Sequence, residues 1–261
     1  MILTFDIGNS TIKTAVFEGS EMIGYWRIST NRSMSSDEYG ILLANLFAHN
    51  RIDIGAVGGI IYSSVVPSIN FTLEHMCRNY FHAEPMQVQP GIKTGINLKY
   101  ENPRELGADR IANAVAAYYL YGGPCVTVDF GTATTFGAVS ERGEFLGGAI
   151  CPGLRLGAEA LVEKASKLPR IELSKPPSAI GRNTVTNMQS GIIYGYVGQV
   201  DYLVAKIRKE LGTPRARVIA TGGLALLVSD ETESIDVLDG LLTLKGLRLI
   251  YEKNKESEES I

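Results

Sequence analysis

The chain has 261 residues, 45% of them hydrophobic and 20% charged, with a formal net charge of −3. This is a globular composition with length for one large domain or two smaller ones, and without a concentrated basic segment a nucleic-acid partner is not expected. No apolar run is long enough to span a bilayer and the first residues read as a strand, so a cytoplasmic protein with no membrane contact is expected. Cys77, Cys125 and Cys151 are odd in number and far apart, which suggests neither a disulfide framework nor a zinc site.

In chain order, residues 2–6, 12–18 and 21–28 read as an antiparallel meander turning at Gly8-Asn9 and Glu18-Gly19-Ser20. A helix follows, capped by Ser35 or Ser36, with Asp37 and Glu38 in its positive first turn and Ile41, Leu42, Leu46 and Phe47 as its apolar face. Gly58 to Val66 is a β-branched run expected as a buried parallel strand. A helix with Phe71, Leu73, Met76 and Phe81 comes next, then a short strand at 86–88. Residues 89–102 read as a loop with Tyr100 as its one large aromatic.

Arg104 to Leu120 reads as a helix stopped by Gly122-Gly123-Pro124, with Ile111, Val115 and Tyr119 packed on a sheet and Asp109 and Arg110 at its start, facing a cleft. Strands at 125–129, 133–140 and 144–151 then repeat the opening order, and after Pro152-Gly153 a helix runs through Glu163 with Leu154, Leu156, Leu161 and Val162 inward. Beyond an irregular connection, Thr184 begins a helix of about 25 residues, apolar on more than one face. Subunit interface and buried domain helix are equally open readings of it. The strand at 217–221 ends in the Gly222-Gly223 turn, with a helix from Leu224; an amphipathic helix from Leu238 to Tyr251 leads to a charged tail expected to fray.

Two of these stretches share one design. Phe5-Asp6-Ile7-Gly8-Asn9-Ser10-Thr11 and Val128-Asp129-Phe130-Gly131-Thr132-Ala133-Thr134-Thr135 each bring an aspartate to a glycine turn followed by hydroxyls. At an offset of 123 residues, Asp6 falls on Asp129, Gly8 on Gly131, Ala15-Val16 on Ala138-Val139 and Glu18 on Glu141. Two related halves, 1–122 and 123–261, are the natural reading. Glycine lets backbone N–H groups approach an anion and the hydroxyls add donors. The expected architecture is α/β, two lobes with mixed sheets flanked by helices and a nucleotide cleft between them.

Phosphoryl transfer needs neutralised phosphates, a divalent metal and a carboxylate to take the acceptor's proton. Lys13 can reach the β- and γ-phosphates, Asp6 can hold magnesium directly or through water, and Ser10, Thr132 and Thr134 can donate to phosphate. Asp129 is a second anionic group that a cation must offset. Asp109 is the candidate base and Arg110 beside it can hold an acceptor's carboxylate. A helix-cap aspartate with a surface arginine is the alternative for that pair.

In these segments the chain resembles the type III pantothenate kinases of the acetate and sugar kinase, Hsp70 and actin superfamily. The resemblance rests on Asp6-x-Gly8-Asn9-Ser10-x-x-Lys13, Gly107-Ala108-Asp109-Arg110, Asp129-x-Gly131-Thr132-Ala133-Thr134-Thr135, Gly181-x-Asn183-Thr184 and Met188-Gln189-Ser190-Gly191, in that order. It implies a duplicated ribonuclease-H-like (actin-like) fold, transfer of the ATP γ-phosphate to the hydroxyl of pantothenate as the first step of coenzyme A synthesis, a homodimer, and need for magnesium and a monovalent cation, potassium or ammonium. It further implies that residues 6–13 form the ATP phosphate loop, that Thr132 contacts ATP and that Ala220-Thr221-Gly222-Gly223 is the adenosine motif. Asp109 becomes the proton acceptor, Asp129 the holder of the monovalent cation, and Tyr100, Gly107, Ala108, Asp109, Arg110 and Thr184 the pantothenate site. Ser10 stands where the family often has Thr, keeping the hydroxyl, and Gly157 where it often has Ser. A sugar or small-acid kinase on the same fold and a silent nucleotide-binding regulator are the competing readings; Arg110 favours an acidic acceptor, and Lys13, Asp109 and Asp129 together disfavour a silent protein.

Overall fold

The computed structural model describes residues 1–258. They form two compact units, 1–95 with 101–116 and the C-terminal segment from 243, and 96–100 with 117–242. Among the described residues no helix is long and apolar enough to cross a membrane.

The first unit is built on the expected meander. β1 (Ile2–Ile7), β2 (Thr11–Glu18) and β3 (Glu21–Ser29) are antiparallel neighbours; β4 (Gly59–Ser64) joins β1 in parallel and β5 (Pro85–Gln87) joins β4, giving the order β3-β2-β1-β4-β5. Its core combines Leu3, Phe5 and Ile7 with Ile60 and Tyr62 and with helices α1 (Ser36–His49) and α2 (Asn70–Met76). Ser35 and Glu38 form a reciprocal capping box at the start of α1, which satisfies donors that the first turn leaves open.

Several helix faces differ from expectation. In α1 the buried residues include Tyr39, Leu43 and Phe47, an i, i+4, i+8 stripe, and this turns Ile41 outward at 56% exposure. Phe71 is 75% exposed and stacked on His75, while Leu73 and Met76 point inward; a single π turn, Cys77–Phe81, then carries Phe81 into the core. α3 (Ala108–Tyr121) begins four residues later than expected, because Pro103–Glu105 is a separate 3-10 turn capped by Asn102. Ile111 and Val115 are buried as expected, with Ala112 and Ala116, but Tyr119 is exposed.

The second unit repeats the plan. β7 (Cys125–Phe130), β8 (Ala133–Val139) and β9 (Glu144–Pro152) are antiparallel, β10 (Arg217–Thr221) pairs in parallel with β7, and β11 (Val237–Leu238) with β10. The order is β11-β10-β7-β8-β9-β6, with the two-residue β6 (Asn97–Leu98), unmarked in the sequence, added at the edge. α4 (Leu154–Lys164), α5 (Thr184–Glu210) and α6 (Ala225–Ser229) flank it, and Val126, Val128, Phe130 and Phe136 pack against Ile193, Val200 and Val204 of α5. In α4 only Leu154 and Ala158 are buried; Leu156 and Leu161, expected inward, are exposed.

The duplication is exact in strand order: β3-β2-β1-β4-β5 corresponds to β9-β8-β7-β10-β11. The fixed offset, however, holds only on the incoming strand. Asp6 pairs with Lys13 and Asp129 with Thr135, so the outgoing strands correspond at an offset of 122 and Ala15-Val16 falls on Gly137-Ala138. The irregularities between Val16 and Phe17 and between Ala138 and Val139 obey the same offset. The cause is a hairpin tip one residue shorter: four residues separate the pair Ile7–Ile12 and three the pair Phe130–Thr134.

The boundary expected after residue 122 assigns the last helix to the second half, whereas α7 (Leu242–Glu258) packs almost entirely in the first unit. Thr243 Oγ donates to Asn113 Oδ1 at 2.8 Å, and Gly246 lies so close to α3 that a Cβ there would be 2.0 Å from the Ala112 carbonyl oxygen. α7 takes in much of the charged tail expected to fray; residues 259–261 lie outside the described residues. Gly246→Ala improves helix propensity but cannot fit against that backbone, so it should destabilise the protein by about 2 kcal/mol, read as a lower urea midpoint.

Candidate active site

Within the first unit, Asp6 on β1 lies between two strands in strict register, with Lys13 opposite on β2 and Ser63 opposite on β4. Register places the three side chains on one sheet face. Lys13 Nζ is 3.6 Å from Asp6 Oδ2, and Ser63 Oγ donates to Asp6 Oδ1 at 3.0 Å. The tip that follows closes with Gly8 N–H donating to the Thr11 carbonyl at 3.0 Å and leaves Asn9 and Ser10 exposed. The start of the β3–α1 connection braces it: Thr30 Oγ donates to the Gly8 carbonyl at 2.6 Å, Thr30 N–H to the Ser10 carbonyl at 3.1 Å, and Arg32 Nη2 to Asn9 Oδ1 at 3.4 Å. Sequence reasoning missed Ser63, Thr30 and Arg32. Only Ser63-Ser64, a hydroxyl pair ending an apolar strand, carried a readable signal.

Asp109 is the second residue of α3, in the same unit. Its Oδ1 accepts the Arg110 N–H at 2.9 Å, and a Cβ on Gly107 would stand 2.5 Å from that oxygen. Glycine at 107 therefore makes room for the carboxylate. Burial pushes the Asp109 carboxyl above its ordinary value and the charge of Asp6 pushes it further, while Arg110 opposes both. A carboxyl raised in this way is suited to take a proton. Arg110 is 8% exposed, which removes the surface-arginine alternative.

In the second unit Asp129 occupies the matching place on β7, with Thr135 opposite on β8 and Thr221 on β10. Thr132 is exposed at the tip, and its carbonyl accepts the Gly153 N–H at 3.1 Å where α4 begins. Gly222, at φ +99°, packs on the hairpin so closely that a Cβ would be 2.6 Å from the Phe130 backbone; the Gly222-Gly223 turn thus abuts the Asp129 strand. Thr134, expected to donate to phosphate, is instead fully buried. The pleat puts it on the core side with Phe136, and its Oγ1 has no hydrogen-bond partner. Tyr100 tilts against Phe145 with ring centroids 6.3 Å apart. Thr184 is the first residue of α5, capped by Asn183, and borders a cavity of about 620 Å³ together with Met188 and Tyr196.

The structure thus gathers Asp6, Gly8, Asn9, Ser10, Lys13, Gly107, Ala108, Asp109 and Arg110 in one unit, and Tyr100, Asp129, Thr132, Thr184, Gly222 and Gly223 in the other. Among the described residues no group of three or more acidic, histidine or cysteine side chains forms a metal cage. A single carboxylate such as Asp6 fits magnesium that keeps most of its waters and arrives with phosphate oxygens.

Residues 2–206 match the family described as type III pantothenate kinase. The chain belongs to that family. It is accordingly an ATP-dependent kinase by family. The fold is shared with solved structures of low sequence identity: a conserved putative Baf family transcriptional activator from Campylobacter jejuni (TM-score 0.62, 18% identity, covering 97% of this chain and 99% of that one), a putative N-acetylglucosamine kinase from Porphyromonas gingivalis (0.51, 10%, 98% and 100%), and the (R)-2-hydroxyglutaryl-CoA dehydratase component A from Acidaminococcus fermentans (0.53, 12%, 99% and 98%). Such likeness establishes the duplicated ribonuclease-H-like, actin-like fold.

The raised Asp109 carboxyl has a stability consequence. The folded protein binds this proton more tightly than the unfolded chain, so stability falls as pH rises from the ordinary aspartate range through the raised value. Asp109→Asn removes that loss: urea midpoints should favour the variant at neutral pH, and the advantage should vanish below the ordinary aspartate pKa.

Proposed function

We propose that this kinase transfers the γ-phosphoryl group of ATP to the hydroxyl of pantothenate, giving 4′-phosphopantothenate. The observation that carries the reading is Asp109, a shielded carboxylate with a raised affinity for protons in the family's Gly-Ala-Asp-Arg segment. As the acceptor oxygen bonds to the γ-phosphorus, Asp109 takes its proton and the bond to the β–γ bridging oxygen breaks, releasing ADP. Lys13 and the backbone and hydroxyl of residues 8–10 neutralise and orient phosphate oxygens; Thr132 and the Gly222-Gly223 turn serve the nucleotide. Arg110 pairs with the acceptor's carboxylate, beside Gly107 and Ala108 in the first unit, and in the second unit Tyr100 and Thr184 are the residues assigned to pantothenate. Bound magnesium supplies charge neutralisation of the phosphates, and Asp6 would hold it through water.

Asp129 is assigned the monovalent cation, potassium or ammonium. Its register neighbours are Thr135 and Thr221, where Asp6 has a lysine and a serine. Hydroxyl neighbours supply oxygen but no positive charge, which supports a cation there. Asp129→Asn should lose potassium activation and ATP use while pantothenate binding persists.

A coupled ADP-release assay tests the acceptor. Pantothenate-dependent turnover, stimulated by potassium, is expected; turnover only with another small acid or a sugar would reassign the substrate, and ATP binding without turnover for any acceptor would leave a silent regulator. Asp109→Asn should cut kcat at least about 1,000-fold with nucleotide binding retained.

The proposed assembly is a homodimer. Exposed Leu161 and the Gly191 and Gly195 positions of α5 line the cavity beside Thr184, an apolar surface with small residues on a long helix. Sedimentation should give twice the monomer mass, and a monomer at assay concentration would refute the assembly.

A further inference from the structure

In each sheet, the strand paired in parallel with the central one places a hydroxyl beside the central aspartate. Ser63 is the register partner of Asp6, and Thr221 of Asp129. The two hydroxyls occupy equivalent positions of the duplicated fold and share a face with their carboxylates. Ser63 is 1% exposed on a strand whose Ile60, Ile61 and Tyr62 are fully buried, so packing alone would favour an apolar residue there. Its hydroxyl instead holds Asp6 Oδ1 at 3.0 Å, while Oδ2 faces Lys13 at 3.6 Å. Thr221 is likewise fully buried, and its Oγ1 has no hydrogen-bond partner in the structure.

We propose that Ser63 is a positioning residue for phosphoryl transfer, acting through Asp6; this rests on the kinase reading above. A carboxylate tethered at one oxygen cannot swing its other oxygen onto the Lys13 ammonium. The ion pair stays at 3.6 Å, longer than a hydrogen bond, and Lys13 keeps its donors for phosphate oxygens. Without the hydroxyl, Asp6 rotates and draws the ion pair in to hydrogen-bond distance, which withdraws the ammonium from the phosphates and misaligns the carboxylate toward the magnesium shell. The effect is on nucleotide and metal and spares the acceptor.

Ser63→Ala, Ser63→Thr, Asp6→Asn and the double variant Asp6→Asn/Ser63→Ala are compared with wild type. Manganese bound with a non-hydrolysable ATP analogue is read by electron paramagnetic resonance, alongside steady-state turnover with pantothenate. Ser63→Ala should weaken manganese–nucleotide binding and lower kcat/KM for ATP, each about 10-fold, with KM for pantothenate unchanged. Ser63→Thr should recover most of the loss, and the alanine should add nothing in the Asp6→Asn background. Wild-type binding by Ser63→Ala, or the same penalty persisting without the Asp6 carboxylate, would overturn the proposal. Wild-type binding of manganese–nucleotide without pantothenate turnover would refute the acceptor assignment alone, and the binding comparison would still decide the role of Ser63.

Discussion

The ion pair between Asp6 and Lys13 is the interaction on which the rest of the first site depends. It is set by backbone register, since the two residues face each other across the hairpin whose tip is the proposed phosphate loop. The side chains are only 15% and 17% exposed, so their charges are poorly screened by water. Two carboxylates in one shielded region repel, and Asp109 already responds to Asp6 by holding its proton more tightly. The Lys13 ammonium, 3.6 Å from Asp6, offsets that carboxylate's charge. A pair of this kind contributes little to net stability once desolvation is counted, and its value lies in fixing charge where phosphate charge must be met.

The two hairpins show how one backbone plan acquires two chemistries. The second outgoing strand, Ala133–Val139, carries no lysine, and Thr135 stands opposite Asp129. The first aspartate is thereby flanked by a cation and a hydroxyl, the second by two hydroxyls, although the sheets share their strand order. A carboxylate beside a fixed ammonium, as Asp6 is, is partly neutralised before any ligand arrives. The asymmetry therefore lies in which residues the flanking strands carry at equivalent register positions, the one-residue difference being absorbed in the hairpin tip.

Strands, turns and hairpins were legible in the sequence because their signals are local. Alternation, glycine turns and the β-branched run at 58–66 placed β1 to β4 and β7 to β10 within a residue or two. The placement of the candidate residues was legible to the same depth: Asp6, Lys13, Asp109 and Asp129 all stand on the elements expected of them. The failures are non-local. Ser63 becomes chemical only when β4 is laid beside β1, and the burial of Arg110 depends on tertiary packing. Helix faces were misassigned at Ile41, Phe71, Leu156 and Leu161 because the sequence supplies a period without saying which phase meets the sheet.

Glycine illustrates that limit most sharply. Gly107 has no positive φ; what excludes a side chain there is the Asp109 carboxylate 2.5 Å away from where a Cβ would lie. Gly222 has both a positive φ and a backbone neighbour within 2.6 Å. In the sequence both look like turn residues, yet one makes space for the Asp109 carboxylate and the other lets a turn rest on the aspartate strand. The distinction matters because substitution at Gly107 would act directly on the position of Asp109, whereas at Gly222 it would first deform the second hairpin. Each glycine therefore transmits a backbone constraint to a different carboxylate, and the spacing of charge in the two sites rests on the side chains that are absent as much as on those present.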